Sequence, residues 1–361
     1  MTTPTTAGRR ILVSAFGIHM GGGLVLLRAL AAALAGHPCV MLLDERVRAD
    51  SVLAASLANA QVRYVARSLL ARRASLNRLA SEATDADLLL CFNSLPPLRR
   101  TRGRVVTFVQ APHFVGSVGD IVYPPLTRAR LAIEAAWLRH GIANSAEVWV
   151  QTPTMLSLLL SRYPSTHARI APLVDDDLVT LLSARAPAAA TPATTTRTDP
   201  ANARFFYPAD LVGHKNHRAL VAAWELLERD GPAPRLALTL RESEWTQLLS
   251  QCGQRMPAAV VNLGRMPRAD TLAELSRSSA LMFPSRAETF GLPMIEAQSL
   301  GIPVLAAERD FVRDVCTPAQ TFDPCSPRSI ADAVRRFLDV PTRLDNGRFW
   351  SADRFVAQLL Q

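Results

Sequence analysis

Short apolar runs, each followed by a stretch of helical periodicity, recur along the whole chain, and this alternation restricts its fold more than any other feature. Ile11–Ala15, Cys39–Leu43, Asp87–Phe92, Val105–Val109 and Val148–Gln151 read as strands. Helical patterns lie between them over Leu24–Ala35, Val65–Ala83 and Leu126–His140. Runs that are apolar at nearly every position need cover on both faces, and intervening helices supply it, which predicts a parallel sheet. The pattern pauses in an Ala/Pro/Thr-rich stretch, 184–200, that has no periodicity and reads as a linker or long surface loop. It then resumes with strands over Phe205–Pro208, Arg235–Thr239, Val260–Leu263, Ala280–Phe283 and Val304–Ala306. Helices are expected over Asn216–Glu228, Glu242–Gln251, Arg268–Ser278, Met294–Leu300 and Asp332–Leu338. With 361 residues there is enough chain for two cores. The expected fold class is α/β, with two doubly wound parallel-sheet domains facing a cleft. The first covers 9–180 and the second 203–340; 181–202 is the linker and 341–361 a terminal helix.

Composition narrows the functional classes. No run reaches the length of a membrane-crossing helix; the best, Leu24–Leu34, is interrupted by Arg28. The Thr-rich start, with Arg9, Arg10 and only five apolar residues after them, does not read as a signal peptide. Five cysteines without a CxxC pair predict neither a disulfide framework nor a zinc site, and a reducing cytoplasm as the location. A net charge of +9 favours anionic partners, although a coding bias toward arginine and alanine produces the same excess. Nucleic acid is not an expected partner, since aromatics are 6% and no binding motif is recognisable. Arg72, Arg73, Arg99, Arg100, Arg102, Arg104, Arg128 and Arg130 crowd the first half. They leave an anionic membrane leaflet open as a partner, with a peripheral place on the inner face of the cytoplasmic membrane.

The chemistry concentrates in Phe283–Pro303. Ala280–Phe283 reads as a buried strand, Phe290-Gly291-Leu292-Pro293 as a turn, and Pro293 suits the first helical turn, where its missing N–H costs nothing. A strand, a turn and a helix N-terminus form an anion site. Glu288 lies just before the helix and Glu296, eight residues on, about one turn inside it. Carboxylates do not bind a phosphate but accept hydrogen bonds from hydroxyls. The arrangement suits a ligand with phosphate in the middle and polyols at both ends.

That spacing resembles the E-x7-E motif of retaining GT-B glycosyltransferases of the group-four type, among them bacterial enzymes of cell-envelope polysaccharide and lipopolysaccharide synthesis. Phe205-Phe206-Tyr207-Pro208 followed by His214-Lys215-Asn216-His217 resembles the start of their donor domain. Val148 to Met155 is similar to the last strand region of their acceptor domain, and Phe322-Asp323-Pro324 with Ser329-Ile330 to the segment after the donor site. The resemblance implies two Rossmann-like domains, with the terminal helix packing back on the first. It also implies transfer of a sugar from a UDP- or GDP-sugar to a glycan or lipid-linked acceptor. Retention by front-face attack is implied, with the leaving phosphate helping to take the acceptor proton. No metal is implied, and no cofactor beyond the nucleotide-sugar donor substrate. A GT-B-like epimerase or hydrolase, or a non-catalytic nucleotide-binding homologue, shares the nucleotide site and stays open. A dehydrogenase is opposed by the missing G-x-G-x-x-G fingerprint.

Residue by residue, the resemblance implies that Glu288 contacts donor-sugar hydroxyls near the anomeric carbon and that Lys215 is the main cation on the diphosphate. His113, or Gln110 in its place, faces the reacting centre. Glu296 takes the ribose hydroxyls, unless it merely marks the wet face of an apolar helix. Thr289, Phe290, Gly291 and Leu292 act through backbone N–H groups, Gly22 and Gly23 lie in a loop facing the cleft, and Arg265 and Met266 lie beside the base. His214 supports the Lys215 loop. Asp210 stands where many relatives have an arginine, and Arg286 or Arg241 is the expected substitute.

Overall fold

The computed structural model describes residues 10–115, 121, 123–176, 178, 180 and 202–339. The first sheet has seven parallel strands: β1 (Ile11–Ala15), β2 (Cys39–Asp44), β3 (Gln61–Val65), β4 (Leu88–Cys91), β5 (Arg104–Phe108), β6 (Glu147–Val150) and β7 (Ala168–Ile170). The second has six: β8 (Arg204–Tyr207), β9 (Arg235–Leu238), β10 (Val260–Asn262), β11 (Ala280–Phe283), β12 (Val304–Ala307) and β13 (Gln320–Phe322). Helices of the first domain are α1 (Gly21–Ala33), α2 (Ser51–Ser56), α3 (Leu69–Ser81), α4 (Pro125–Gly141) and α5 (Pro153–Arg162). Those of the second are α6 (His217–Asp230), α7 (Glu242–Gln251), α8 (Arg268–Ser276), α9 (Leu292–Leu300), α10 (Asp310–Val315) and α11 (Pro327–Leu338).

Strand order is β3-β2-β1-β4-β5-β6-β7 in the first sheet and β10-β9-β8-β11-β12-β13 in the second. Both reverse direction once, between β1 and β4 and between β8 and β11. In an open sheet the crevice beyond the strand ends at such a reversal is where ligands bind. Alternation along the strands sorts side chains between the two faces. Leu12, Val40 and Leu42 join one core cluster of the first domain, while Val13, Ala15, Met41 and Leu43 join the other. The second domain has one cluster, with Phe205, Phe206, Trp224, Leu236 and Met282 inside it.

The sequence reading misses β3, β7 and β13, and all three are edge strands. An edge strand is covered less, so it shows no fully apolar run: Gln61 is exposed, and so are Arg169 and Ile170. The helix expected over Val65–Ala83 accordingly starts later. Val65 ends β3, and Ser68 caps α3 by accepting a hydrogen bond from Ala71 N at 3.1 Å. The expected terminal helix within 341–361 and most of the linker lie outside the described residues.

The two domains touch at several points. Leu292 and Ile295 of α9, with Phe290 before it, pack into the first domain's second cluster, while Met294 and Ala297 join the second domain's core. This helix is therefore apolar nearly all round because both of its sides are covered. Asp314 of α10 accepts from Thr154 N in the first turn of α5 at 2.9 Å.

Candidate active site

The loops after β8 and β11 flank the reversal point of the second sheet and carry the motif residues. Tyr207, fully buried at the end of β8, uses its hydroxyl to tie both loops: it donates to Lys215 O at 2.8 Å and lies 3.2 Å from Ser285 Oγ. Asn216 turns the chain into α6 in the left-handed region, φ 63, a conformation asparagine tolerates better than most residues. Its amide holds the turn by donating to Pro284 O at 3.1 Å and Pro324 O at 2.7 Å. His217 behind it is buried, and burial pushes its imidazole down to about 3, so it is neutral core. These contacts place Lys215 Nζ 2.5 Å from Glu288 Oε1, with both side chains largely covered.

Burial alone would push the Glu288 carboxyl up. The Lys215 ammonium, the nearby His214 and a hydrogen bond from Ser285 outweigh it and hold the group below its ordinary value. His214 is pushed down to about 4, mainly by burial. Its carbonyl accepts from Arg286 N at 2.8 Å, and its Nδ1 lies 3.2 Å from the Tyr123 hydroxyl of the first domain. His214 thus joins the Lys215 loop to the Glu288 loop and to the opposite domain.

After Glu288 the chain turns into α9. Gly291 has φ 79, the left-handed region that favours glycine, and a Cβ there would lie 2.4 Å from Met294 Cε and 3.3 Å from Phe283 Cζ, so the methionine tip would also have to shift. Pro293 sits in the first turn, as expected. Met294 N already donates to Gly291 O at 2.9 Å, so an anion would be met by the N–H groups before Pro293. Thr289 Oγ1 crosses to the first domain and donates to Gln110 O at 3.3 Å. The Gln110 side chain itself turns inward to the Phe92 carbonyl, so the backbone of this residue, not its amide, meets the loop before α9.

Glu296 is buried, which removes the reading of a wet helix face. Arg268, the first residue of α8, donates to its Oε1 from Nε at 3.2 Å and from Nη2 at 3.1 Å. The same Nη2 donates to Asp175 Oδ2 of the first domain at 2.8 Å. Burial pushes the Glu296 carboxyl up, and Arg268 offsets only part of this. Neither Arg268 nor Asp175 is singled out by the sequence reading. One local signal existed: a cation at the first position of a helix opposes the helix dipole and needs a carboxylate partner.

On the first domain, Gly21, Gly22 and Gly23 are not a loop but the first turn of α1. A Cβ on Gly22 would lie 3.2 Å from Leu292 Cδ1, so what approaches this glycine in the structure is the first residue of α9 in the other domain. His113 Nε2 lies 3.4 Å from Glu134 Oε2, and its ring packs on Phe114 with centroids 4.1 Å apart. An ionic chain runs on from there. Arg72 lies 3.9 Å from Glu134 and 3.5 Å from Asp44, and Arg46 grips Asp44 at 2.6 and 2.9 Å. Burial alone would raise the Asp44 carboxyl, but Arg46 and the N–H groups of Arg46 and Gly17 hold it down at about 2. Arg72 is 8% exposed, so it is an interior cation and not part of a surface charge patch.

Arg265 and Met266 follow β10 in a turn where Gly264 has φ 74 and donates to Asn262 Oδ1 at 3.2 Å. Arg265 Nη1 lies 3.5 Å from Asp210 Oδ1. The guanidinium that the fold brings to Asp210 is therefore this one. Of the two expected substitutes, Arg286 donates to Cys325 Sγ at 2.9 Å, and Arg241 lies near enough to His19 of the first domain to lower its imidazole further, beyond the main effect of burial.

The model of the family "Glycosyl transferases group 1" matches residues 196–347. Glycogen synthase of Mycobacterium tuberculosis is 30% identical over 149 residues, 40% of this chain and 36% of the relative. The serotype-specific mannosyltransferase WbdA of Escherichia coli is 30% identical over 138 residues, 37% of this chain and 17% of its own length. The chain thus spans about a third or less of the curated relatives it matches. Among solved structures, Anabaena HepE in complex with UDP and glucose aligns with a TM-score of 0.60 at 15% identity, covering 92% of this chain and 89% of that one. The lipopolysaccharide outer core galactosyltransferase WaaB aligns with a TM-score of 0.56 at 12% identity, covering 98% and 99%. At such identities the likeness establishes the fold, and that fold is GT-B.

Proposed function

We propose that this chain, whose second domain belongs to the group 1 glycosyl transferases, moves a sugar from a nucleoside-diphosphate sugar to a glycan or lipid-linked acceptor of cell-envelope polysaccharide synthesis, with retention and without a metal. The observation that carries the reading is the Lys215–Glu288 pair at 2.5 Å, set before the N-terminus of α9 and against the first domain. In the proposed reaction the bond between the anomeric carbon and the diphosphate oxygen breaks as the acceptor oxygen bonds to that carbon on the same face. The acceptor proton passes to the leaving phosphate oxygen. Lys215 and the N–H groups ahead of Pro293 stabilise the charge that grows on the diphosphate. Glu288 accepts hydrogen bonds from donor-sugar hydroxyls, Glu296 from the ribose, and the Arg265–Met266 turn lies beside the base.

The acceptor enters from the first domain, where Gly22, Gly23 and His113 lie. The anionic-membrane part of the reading is supported by α4, whose first turns expose Leu126, Arg128 and Arg130, and by exposed Leu70 on α3. Failure to float with anionic vesicles would remove that part alone. No helix among the described residues is long and apolar enough to cross a membrane.

The test is thermal stabilisation by UDP, GDP, ADP and NAD without metal, for wild type and Lys215→Ala. At a hundredfold excess over Kd a ligand of the native state adds about 2.7 kcal/mol. A shift with one nucleoside diphosphate, weakened in the variant, is expected and names the base. A shift with NAD alone overturns the reading.

A further inference from the structure

The Arg268 guanidinium is shared between two carboxylates from different domains. Its Nε and Nη2 both end on Oε1 of Glu296, at 3.2 and 3.1 Å, and among the described residues no hydrogen bond is made to Oε2. Its Nη2 also ends on Oδ2 of Asp175 at 2.8 Å. Asp175 is in turn fixed by its other oxygen, which accepts from Leu178 N at 3.2 Å. Two donors converging on one oxygen restrict how the Glu296 carboxylate can rotate; a single contact from a lysine would not. The side chains of Asp175 and Glu296 are about nine-tenths covered, while Arg268 is 28% exposed, so water screens their contacts only in part.

We propose that Arg268 is a positioning residue of the nucleotide site: it orients Glu296 toward the ribose hydroxyls and is itself held in place by Asp175 from the first domain. This rests on the donor reading of Glu296 given above. It adds that selectivity for a ribonucleotide depends on a residue that need not touch the nucleotide and on an anchor in the opposite domain. A purely structural tether would lower stability without changing which nucleotide is preferred.

The readout is therefore a ratio. Calorimetric Kd values are measured for UDP, GDP and ADP and for their 2′,3′-dideoxy counterparts, with the full chain. Wild type is expected to prefer the ribonucleotide by at least about tenfold, the loss expected when a hydrogen bond to a charged group is removed. Glu296→Gln should lose most of that preference. Arg268→Met should lose it to a similar extent, and the double variant should lose no more than either single one, because both act through one contact. Arg268→Lys should restore part of it, and Asp175→Asn should reduce it less than Arg268→Met; these two carry the test if Arg268→Met does not fold. A wild-type preference retained in Arg268→Met, or in both Arg268→Lys and Asp175→Asn, overturns the positioning role alone. Absence of binding by any nucleoside diphosphate to the wild type overturns the donor reading and this role together.

Discussion

Glu288 and Glu296 stand eight residues apart, one before α9 and one about a turn inside it, yet their surroundings drive them in opposite directions. Glu288 has a lysine to itself, from the same domain, and its carboxyl is held below the ordinary 4.5. Glu296 shares an arginine with Asp175 of the other domain, and its carboxyl is raised above 4.5. Both are largely covered, so desolvation acts on both; Lys215, His214 and Ser285 outweigh it at Glu288, whereas at Glu296 Arg268 does not, and Asp175 adds to the rise. The cation paired with Glu288 thus comes from its own domain, whereas the cation paired with Glu296 is shared with the opposite domain.

The sharpest way to break this comparison is at the Glu288 end. Lys215→Ala should lower kcat by about 10²–10³, the range for removing one preorganised group from a developing anion, measured with the nucleotide sugar that the binding test identifies. An unchanged rate would mean that Lys215 does not face the diphosphate. Next comes the hinge between the two ends. Gly291→Ala forces a Cβ to within 2.4 Å of Met294 Cε at φ 79 and should cost about 1–3 kcal/mol in urea unfolding.

The two carboxylates should then separate by pH. The stability that Glu288 contributes is full above 4.5 and is lost as the pH falls toward its depressed folded value. The disadvantage of Glu288→Gln relative to wild type should therefore shrink on acidification below 4.5. Glu296 has the opposite sign: its raised folded value lets wild type gain on Glu296→Gln as the pH falls toward 4.5. Parallel curves for the two variants would show that the two environments are alike. The smallest effect is expected at the shared end. Asp175→Asn weakens a pair whose arginine is 28% exposed, so it should cost about 1 kcal/mol or less, read by the same unfolding experiment.

The strand–turn–helix unit that carries Glu288 and Glu296 was legible because it is local: strand, glycine turn, proline in the first turn and helix follow one another within Ala280–Leu300. The Lys215–Glu288 contact spans 73 residues and became legible only through resemblance of the motif pair. The Arg268–Asp175 contact spans 93 residues and belongs to none of the quoted motifs, so nothing in the reading pointed to it. Gly22 shows a different limit. A glycine marks a place of close approach, but not what approaches, and here Leu292 does.

By itself the sequence determined the two parallel sheets, the positions of their inner strands along the chain and the position of the motif loops, because buried strands and helix starts are written in neighbouring residues. Tertiary structure decided three of the four edge strands, β3, β7 and β13, the strand order of both sheets, the interior place of Arg72 and the sharing of Arg268 between Glu296 and Asp175. Each of these depends on what lies across the fold: how much cover an edge receives, and which charges from distant segments meet out of water.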